Sequence, residues 1–232
     1  MNELNSDTAV LIFALSSEAE KIRKPFFALK KLGDTLQEDT LKKVRDAGLD
    51  YYHFDEKLQH GDTFGERISE AAQAIFDKGY EQLIIIGNDT PGLTSLMLKK
   101  ASITLRNKKS IAGLSRDGGL YLIGLIKNYF DKNSFKELAW KTKKLSNTFL
   151  KSLRSDNISA VCLPVLSDID NFQDLFKIQY KRLDSILECI QNILKQLKGL
   201  TKVTYSESTL YIRLIYQTIL GTRGSPSTFY TY

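Results

Sequence analysis

The 232-residue chain has few of the residues that staple small folds or carry familiar catalytic signatures: two cysteines, two histidines, four prolines and one tryptophan. Cys162 and Cys189 lie in apolar runs without a paired spacing. That argues against a disulfide framework or a thiolate metal site, and both read as small buried hydrophobes in a reducing compartment. His53 and His60 have no nucleophile or carboxylate at a telling spacing, so no Ser–His or Cys–His arrangement is defined. Dinucleotide-binding, phosphate-loop and zinc patterns are absent as well. No run approaches the roughly 20 apolar residues that span a bilayer. The opening stretch MNELNSDTAVLIFAL lacks a basic leader, so the expectation is a cytoplasmic protein without a membrane span. Net positive charge is scarce until late in the chain. The net charge is +6, but Phe176 onward holds eight Lys/Arg against three Asp/Glu and the remainder is close to neutral. A tail of that kind, without interleaved aromatic platforms, argues against a domain shaped to grip nucleic acid.

A hydrophobic content of 42% and a charged content of 26% are those of an ordinary soluble globular chain, long enough to bury a full core. Thr8 to Ala14 (TAVLIFA) is a β-branched apolar run of the kind buried on both faces of a sheet. Helical spacing follows from Glu18 to Leu32 and from Thr40 to Ala47, and Tyr51 to Phe54 reads as a second strand. Gly65 to Gly79 is amphipathic, with Ile68, Ala71, Ala72, Ala74 and Ile75 on one stripe. Gln82 to Ile86 is the most apolar strand, and Leu96 to Arg106 reads as a helix. Ser110 to Leu114 and Leu120 to Leu125 are strands on either side of Ser115-Arg116-Asp117-Gly118-Gly119. Trp140 to Lys151 reads as a helix and Ile158 to Leu163 as the last strand. Alternating strands and helices predict crossover units, a mostly parallel sheet and a three-layer α/β/α fold. Tyr180 to Leu197 has the strongest helical periodicity, and the chain beyond Gly199 reads as an extended arm.

In open α/β sheets ligands bind beyond the carboxyl ends of the strands, and the polar groups of this chain gather there. Asp89, in Gly87-Asn88-Asp89-Thr90-Pro91, suits a hard cation that bridges phosphate oxygens; it suits a helix N-cap equally well. Asp117-Gly118-Gly119 permits close backbone approach to a ligand, or is a plain hairpin turn. Asp168, Asp170 and Asp174 offer a second metal ligand or a base, or form a solvated loop. Lys21, Arg23 and Lys24 follow the first strand, where phosphate is often met, and also read as an exposed helix face. Trp140 reads as a packing residue.

Taken in order, TAVLIFA (8–14), GDTFGERISEAAQAIFDKGY (61–80), LIIIGNDTPGL (83–93), SRDGGLYLIGL (115–125), WKT (140–142) and LPVLSDIDNFQDL (163–175) resemble the selenodomain-associated transferase family of glycosyltransferase A-like proteins, the DUF2064 domain. The resemblance implies a GT-A fold related to the nucleotidyltransferases and nucleotide-diphospho-sugar transferases. It implies Mg2+ or Mn2+ held by Asp89 and Asp170, and nucleotide contacts from Lys21, Arg23, Gly87, Asn88, Gly118 and Gly119. Asp117 and Asp168 would act at the same rim as catalytic carboxylates. The substrates implied are a nucleoside triphosphate or nucleotide sugar and a small-molecule acceptor. The first loop departs from the family pattern, with Leu15 at its first Lys position and Glu20 at its Gly position.

The expected organisation is a GT-A-like domain over residues 1–198 and a C-terminal arm over 199–232. The leading reading is a Mg2+-dependent transferase. The rival is a catalytically degenerate binding or assembly module, with the arm pairing two chains as a homodimer.

Overall fold

The computed structural model of the protein describes residues 7–24, 32–171 and 174. Six strands form one sheet: β1 (Thr8–Phe13), β2 (Asp50–Phe54), β3 (Gln82–Ile86), β4 (Ser110–Ser115), β5 (Leu120–Ile126) and β6 (Ala160–Leu166), in the order β2-β1-β3-β5-β4-β6. β1 is buried at every position. Its alternate residues serve two separate cores, because successive side chains of a strand point to opposite faces. Val10 and Ile12 pack with Ile84, Ile86 and Ile111 on one face, while Ala9, Leu11 and Phe13 pack with Leu83, Ile85 and Ile123 on the other.

Helices cover both faces. Val44 and Ala47 of α2 (Leu32–Ala47) and Leu98, Ala101 and Leu105 of α4 (Ser95–Arg106) close the first core. The second is closed by Ile68, Ala72 and Ile75 of α3 (Phe64–Phe76), Phe135 of α5 (Lys132–Lys136) and Phe149 and Leu153 of α6 (Leu145–Ser155). Each fully buried Leu, Ile or Phe contributes about 1.5–3 kcal/mol. The three-layer α/β/α architecture is the one expected.

Only β5 runs against the others: it pairs antiparallel with both β3 and β4, while β1–β2, β1–β3 and β4–β6 are parallel. The cause is local. Asp117-Gly118-Gly119 forms a tight hairpin, with the Gly118 amide donating to the Ser115 carbonyl at 3.1 Å and the Ser115 amide to that of Gly119 at 3.1 Å. A hairpin that short returns the chain beside β4 without a crossover. The carboxyl ends of the other five strands and the start of β5 therefore share one rim.

Several expectations are corrected. α2 begins at Leu32 rather than Thr40, because Leu32, Leu36, Thr40 and Val44 form one buried stripe at helical spacing. α6 begins at Leu145 rather than Trp140. Lys141 takes a left-handed φ of 56°, which no α-helix accommodates, and the Trp140 indole N–H donates to the Phe135 carbonyl at 2.9 Å. β6 runs on through Pro164 to Leu166; among the described residues it is an edge strand, whose outer side has no ladder partner for proline to lose. The same edge position leaves Cys162 exposed rather than buried. The predicted Tyr180–Leu197 helix, the arm beyond Gly199, Cys189 and any dimer contact made by the arm lie outside the described residues. No described helix is long and apolar enough to cross a membrane.

The second helical layer hinges on Gly65. A Cβ there would lie 2.2 Å from the Lys136 carbonyl oxygen and 2.8 Å from Trp140 Cδ1. Gly65→Ala should cost about 2 kcal/mol or more, the range of overpacking in a close contact, seen as a lower urea midpoint at unchanged slope. An unchanged midpoint would show that the α3–α5 contact is slack.

Candidate functional site

Five strand ends deliver polar groups to the rim. After β1 the chain enters a short helix, α1 (Ser17–Arg23), capped by the Ser16 hydroxyl, which accepts from the Ala19 amide at 3.3 Å. Ser16 is itself held from the end of β2: its amide and hydroxyl donate to the two carboxylate oxygens of Glu56, each at 2.8 Å. Helical spacing then sorts the charges of α1. Ser17 and Lys21 both turn to Asp34 on α2, with Lys21 Nζ 3.2 Å from Asp34 and 2.8 Å from Glu18. Glu20 and Lys24, four residues apart, share the inward face.

Lys24 organises the centre. Its Nζ lies 3.3 Å from Asp89 Oδ2, 3.1 Å from Asp170 Oδ1 and 3.2 Å from the Ile169 carbonyl oxygen, with the Lys24 side chain only 11% exposed. Burial works against its charge, but Asp89, Asp170 and Glu20 outweigh it and raise the ammonium above its ordinary value. Glu20 is buried, and its Oε2 meets no hydrogen-bond partner among the described residues. Burial pushes its carboxyl up, Lys24 opposes that, and the charges of Asp89 and Asp170 add to it.

Asp89 is not a helix cap. The N-cap of α4 is Thr94, whose hydroxyl accepts from the Met97 amide at 3.2 Å, so the Asp89 carboxylate faces Lys24. Its loop is fixed from two sides. The Asp89 carbonyl accepts from the Ile169 amide at 2.8 Å, and the buried Lys43 of α2 donates to the Pro91 carbonyl at 2.8 Å. Gly87 leaves little room beside the carboxylate, since a Cβ there would sit 3.2 Å from Asp89 Oδ1. The Asn88 side chain is buried in the same turn.

Asp168 joins three strand ends. Thr90 Oγ1 donates to its Oδ1 at 2.5 Å and Ser115 Oγ to its Oδ2 at 2.6 Å, which ties the loops after β3 and β4 to the loop after β6. Burial, then the charge of Asp89, raise its carboxyl to about 7 against the pull of the two hydroxyls. With both oxygens engaged, Asp168 is a positioning residue. Asp174 turns into its own loop, accepting from the amides of Asp170 and Asn171 at 3.1 Å each.

At the hairpin, Asp117 Oδ1 accepts from the Gly119 amide at 2.9 Å. Gly118 has φ of 94°, and a Cβ on it would meet the Lys143 carbonyl at 2.2 Å. The turn and this close approach account for the glycine at 118 without a ligand. Beside them stands a basic group that sequence reasoning missed. Lys141 Nζ sits 5.1 Å from the centroid of the Phe64 ring, and it is held below the ordinary lysine range by desolvation and then by the charges of Arg23 and Arg67. Trp140 packs as expected, its ring centroid 5.5 Å from that of Phe64 and 5.0 Å from that of Phe135. His53 is structural, with Nε2 3.1 Å from the Ala14 carbonyl.

Asp89, Asp168, Asp170 and Lys24 are thus brought together, Arg23 stands beside Lys141, and Lys21 is turned away towards α2. Lys24 stood out in the sequence with Lys21 and Arg23 as a basic group after the first strand, but its pairing with Asp89 and Asp170 and the burial of Glu20 beside it did not. Arg67, Lys141, Thr90 and Ser115 carried no sequence signal of their own.

This arrangement has relatives. Residues 35–142 match the family described as "Uncharacterized protein conserved in bacteria (DUF2064)". That is the family recognised from the motifs, and the matched stretch contains Asp89, Asp117 and Trp140. Among solved structures, a protein of Desulfovibrio desulfuricans G20, provisionally described as a nucleotide-diphospho-sugar transferase, is 21% identical, covers 82% of this chain and 98% of its own, and superposes with a TM-score of 0.67. A Mycobacterium tuberculosis Rv0371c homolog from Mycobacterium sp. strain JC1 is 15% identical, covers 83% of this chain and 100% of its own, and has a TM-score of 0.48. The first of these shows that the chain shares the fold of the Desulfovibrio protein. No curated protein matches the sequence.

An aspartate whose carboxyl is raised by folding stabilises the fold fully below its unfolded value near 4 and loses that contribution as pH climbs through about 7. Asp168→Asn, neutral at every pH, should therefore gain stability relative to the parent as pH rises from 4 to 8. Urea midpoints across that range read the difference; a constant offset between the two proteins would contradict the raised carboxyl.

Proposed function

We propose that this protein is a transferase that takes a nucleoside triphosphate or nucleotide sugar as donor at the rim formed by Asp89, Asp170, Arg23 and Lys141. The observation that carries this reading is the convergence of two carboxylates from different strand ends on one cation position, beside three basic side chains. An acidic pair next to basic side chains suits a diphosphate and its counter-ion. The fold shared with the Desulfovibrio protein supports it.

The residues fit a divalent cation by type. A hard ion such as Mg2+ takes one or two carboxylates together with phosphate oxygens and water, and Asp89 and Asp170 already face a single positive centre, the Lys24 ammonium. These two side chains would hold Mg2+ or Mn2+. When bound, the ion supplies electrostatic stabilisation of charge developing on the leaving diphosphate.

The chain's own groups do the rest. Arg23 and Lys141 meet phosphate oxygens, with Arg67 adding positive potential behind them, and Gly87 and Asn88 line the floor beside Asp89. Asp168 holds the three loops in register through Thr90 and Ser115. Gly118 and Gly119 set the height of the hairpin that carries Asp117, the exposed carboxylate placed to receive the acceptor's proton. The reaction class is displacement: an acceptor oxygen forms the new bond to phosphorus or to the sugar carbon as the diphosphate or nucleoside diphosphate leaves, and the acceptor's proton passes to the base.

Calorimetry with nucleoside triphosphates and nucleotide sugars in the presence of Mg2+ tests this. At least one should bind, and Arg23→Ala and Lys141→Ala should each weaken it by about five- to tenfold, the loss of one charge-assisted contact. Absence of heat for every donor at millimolar concentration would overturn the reading.

A further inference from the structure

We propose that Lys24 is the resident cation of a three-carboxylate site made by Glu20, Asp89 and Asp170, and that it keeps divalent metal out of the protein until a donor arrives. Three observations converge on this. First, Nζ bridges Asp89 Oδ2 at 3.3 Å and Asp170 Oδ1 at 3.1 Å, so both carboxylates already spend an oxygen on the ammonium. Second, the Ile169 carbonyl takes a further ammonium proton at 3.2 Å, and the Lys24 side chain is 11% exposed, so the charge is seated in the site. Third, Glu20 is only 7% exposed and its Oε2 finds no hydrogen-bond partner among the described residues, while its electrostatic neighbours are Lys24, Asp89, Arg23 and Asp170. A buried carboxylate oxygen without a proton donor is costly, and it is retained where a positive charge compensates it.

One backbone turn of α1 places Glu20 and Lys24 on the same face, so the third carboxylate and the cation that answers it are delivered by the same helix. A divalent ion entering among these carboxylates would stand within a few ångströms of the ammonium. At that separation like-charge repulsion disfavours joint occupancy strongly in a partly buried site. Among the described residues, no three carboxylates now stand as a formed metal site.

The consequence for the proposed transferase rests on that reading. The donor's diphosphate offers Lys24 another anionic partner, so nucleotide and metal enter together rather than metal first. The occupancy of the site by Lys24 does not rest on it, and its test contains no nucleotide.

Mn2+ binding to the full chain, followed by loss of the free-ion electron paramagnetic resonance signal, reads the exclusion directly. The parent should bind Mn2+ weakly, Lys24→Met should bind one ion at least tenfold more tightly, and Lys24→Arg, which keeps the charge, should stay weak. Adding Glu20→Gln to Lys24→Met should remove most of the gain. Parent binding as tight as Lys24→Met, or a full gain in the double variant, would overturn the proposal. A second measurement uses the parent alone, in case Lys24→Met fails to fold. Lys24 should be among the lysines slowest to be acylated, as mapped by mass spectrometry, and millimolar Mn2+ should not speed it. Acceleration by Mn2+ would mean that the metal displaces Lys24 unaided, which is the contrary result.

Discussion

The rim of this sheet is held by one half-buried carboxylate. Asp168 accepts hydroxyls from Thr90 and Ser115, and those three residues follow β3, the end of β4 and β6. The sheet alone does not bring these loops together, because β5 separates β3 from β4 and β6 lies beyond. With Asp168 fixed, the backbone of Ile169 reaches the carbonyl of Asp89, and Asp170 arrives opposite Asp89. The distance between those two carboxylates, and so the size of the cation position between them, follows from bonds that Asp168 makes. Its position in the chain, two residues before Asp170, lets one loop both tie the rim and carry the carboxylate that faces Lys24.

The reversal of β5 serves the same end. Were β4 followed by a crossover, its end would face a helix, and the rim would lose the hairpin that carries Asp117. A glycine in the left-handed region turns the chain, and the absence of a side chain at Gly118 admits the Lys143 carbonyl. That contact fixes the entrance to α6 and, with Gly65 on the other side, the segment that carries Trp140 and Lys141. Two positions where a Cβ does not fit thereby hold Lys141 against Phe64, within reach of Arg23 and Arg67. Packing sets the position of the basic side of the site; hydrogen bonding sets that of the acidic side.

The readings that held were those resting on local periodicity. TAVLIF, QLIII and LYLIGLI are strands because continuous β-branched runs satisfy burial on both faces, and α3 is a helix because its stripe repeats at helical spacing and Thr63 and Glu66 form a capping box. The readings that failed depended on what lay across space. The second helix reads as starting at Thr40 until Leu32 and Leu36 are seen buried on the same stripe, and Cys162 looks like a core residue until β6 proves to be the edge of the described sheet. Trp140-Lys141-Thr142 reads as a helix start because nothing local reveals the Phe135 carbonyl that captures the indole.

The sequence by itself determined that this is a three-layer α/β protein with acidic groups at strand ends, because strand and helix patterns and the placement of polar residues after apolar runs are properties of neighbours along the chain. It placed Asp89, Asp168 and Asp170 at one rim through the rule that such rims bind ligands. Tertiary structure alone decided which of those carboxylates is a tie and which faces a cation, that Lys21 turns away while Lys24 turns in, and that Glu20 stands buried beside it. Those outcomes depend on pairings over separations of up to 146 residues, between groups whose energies come from burial and charge that no local pattern encodes.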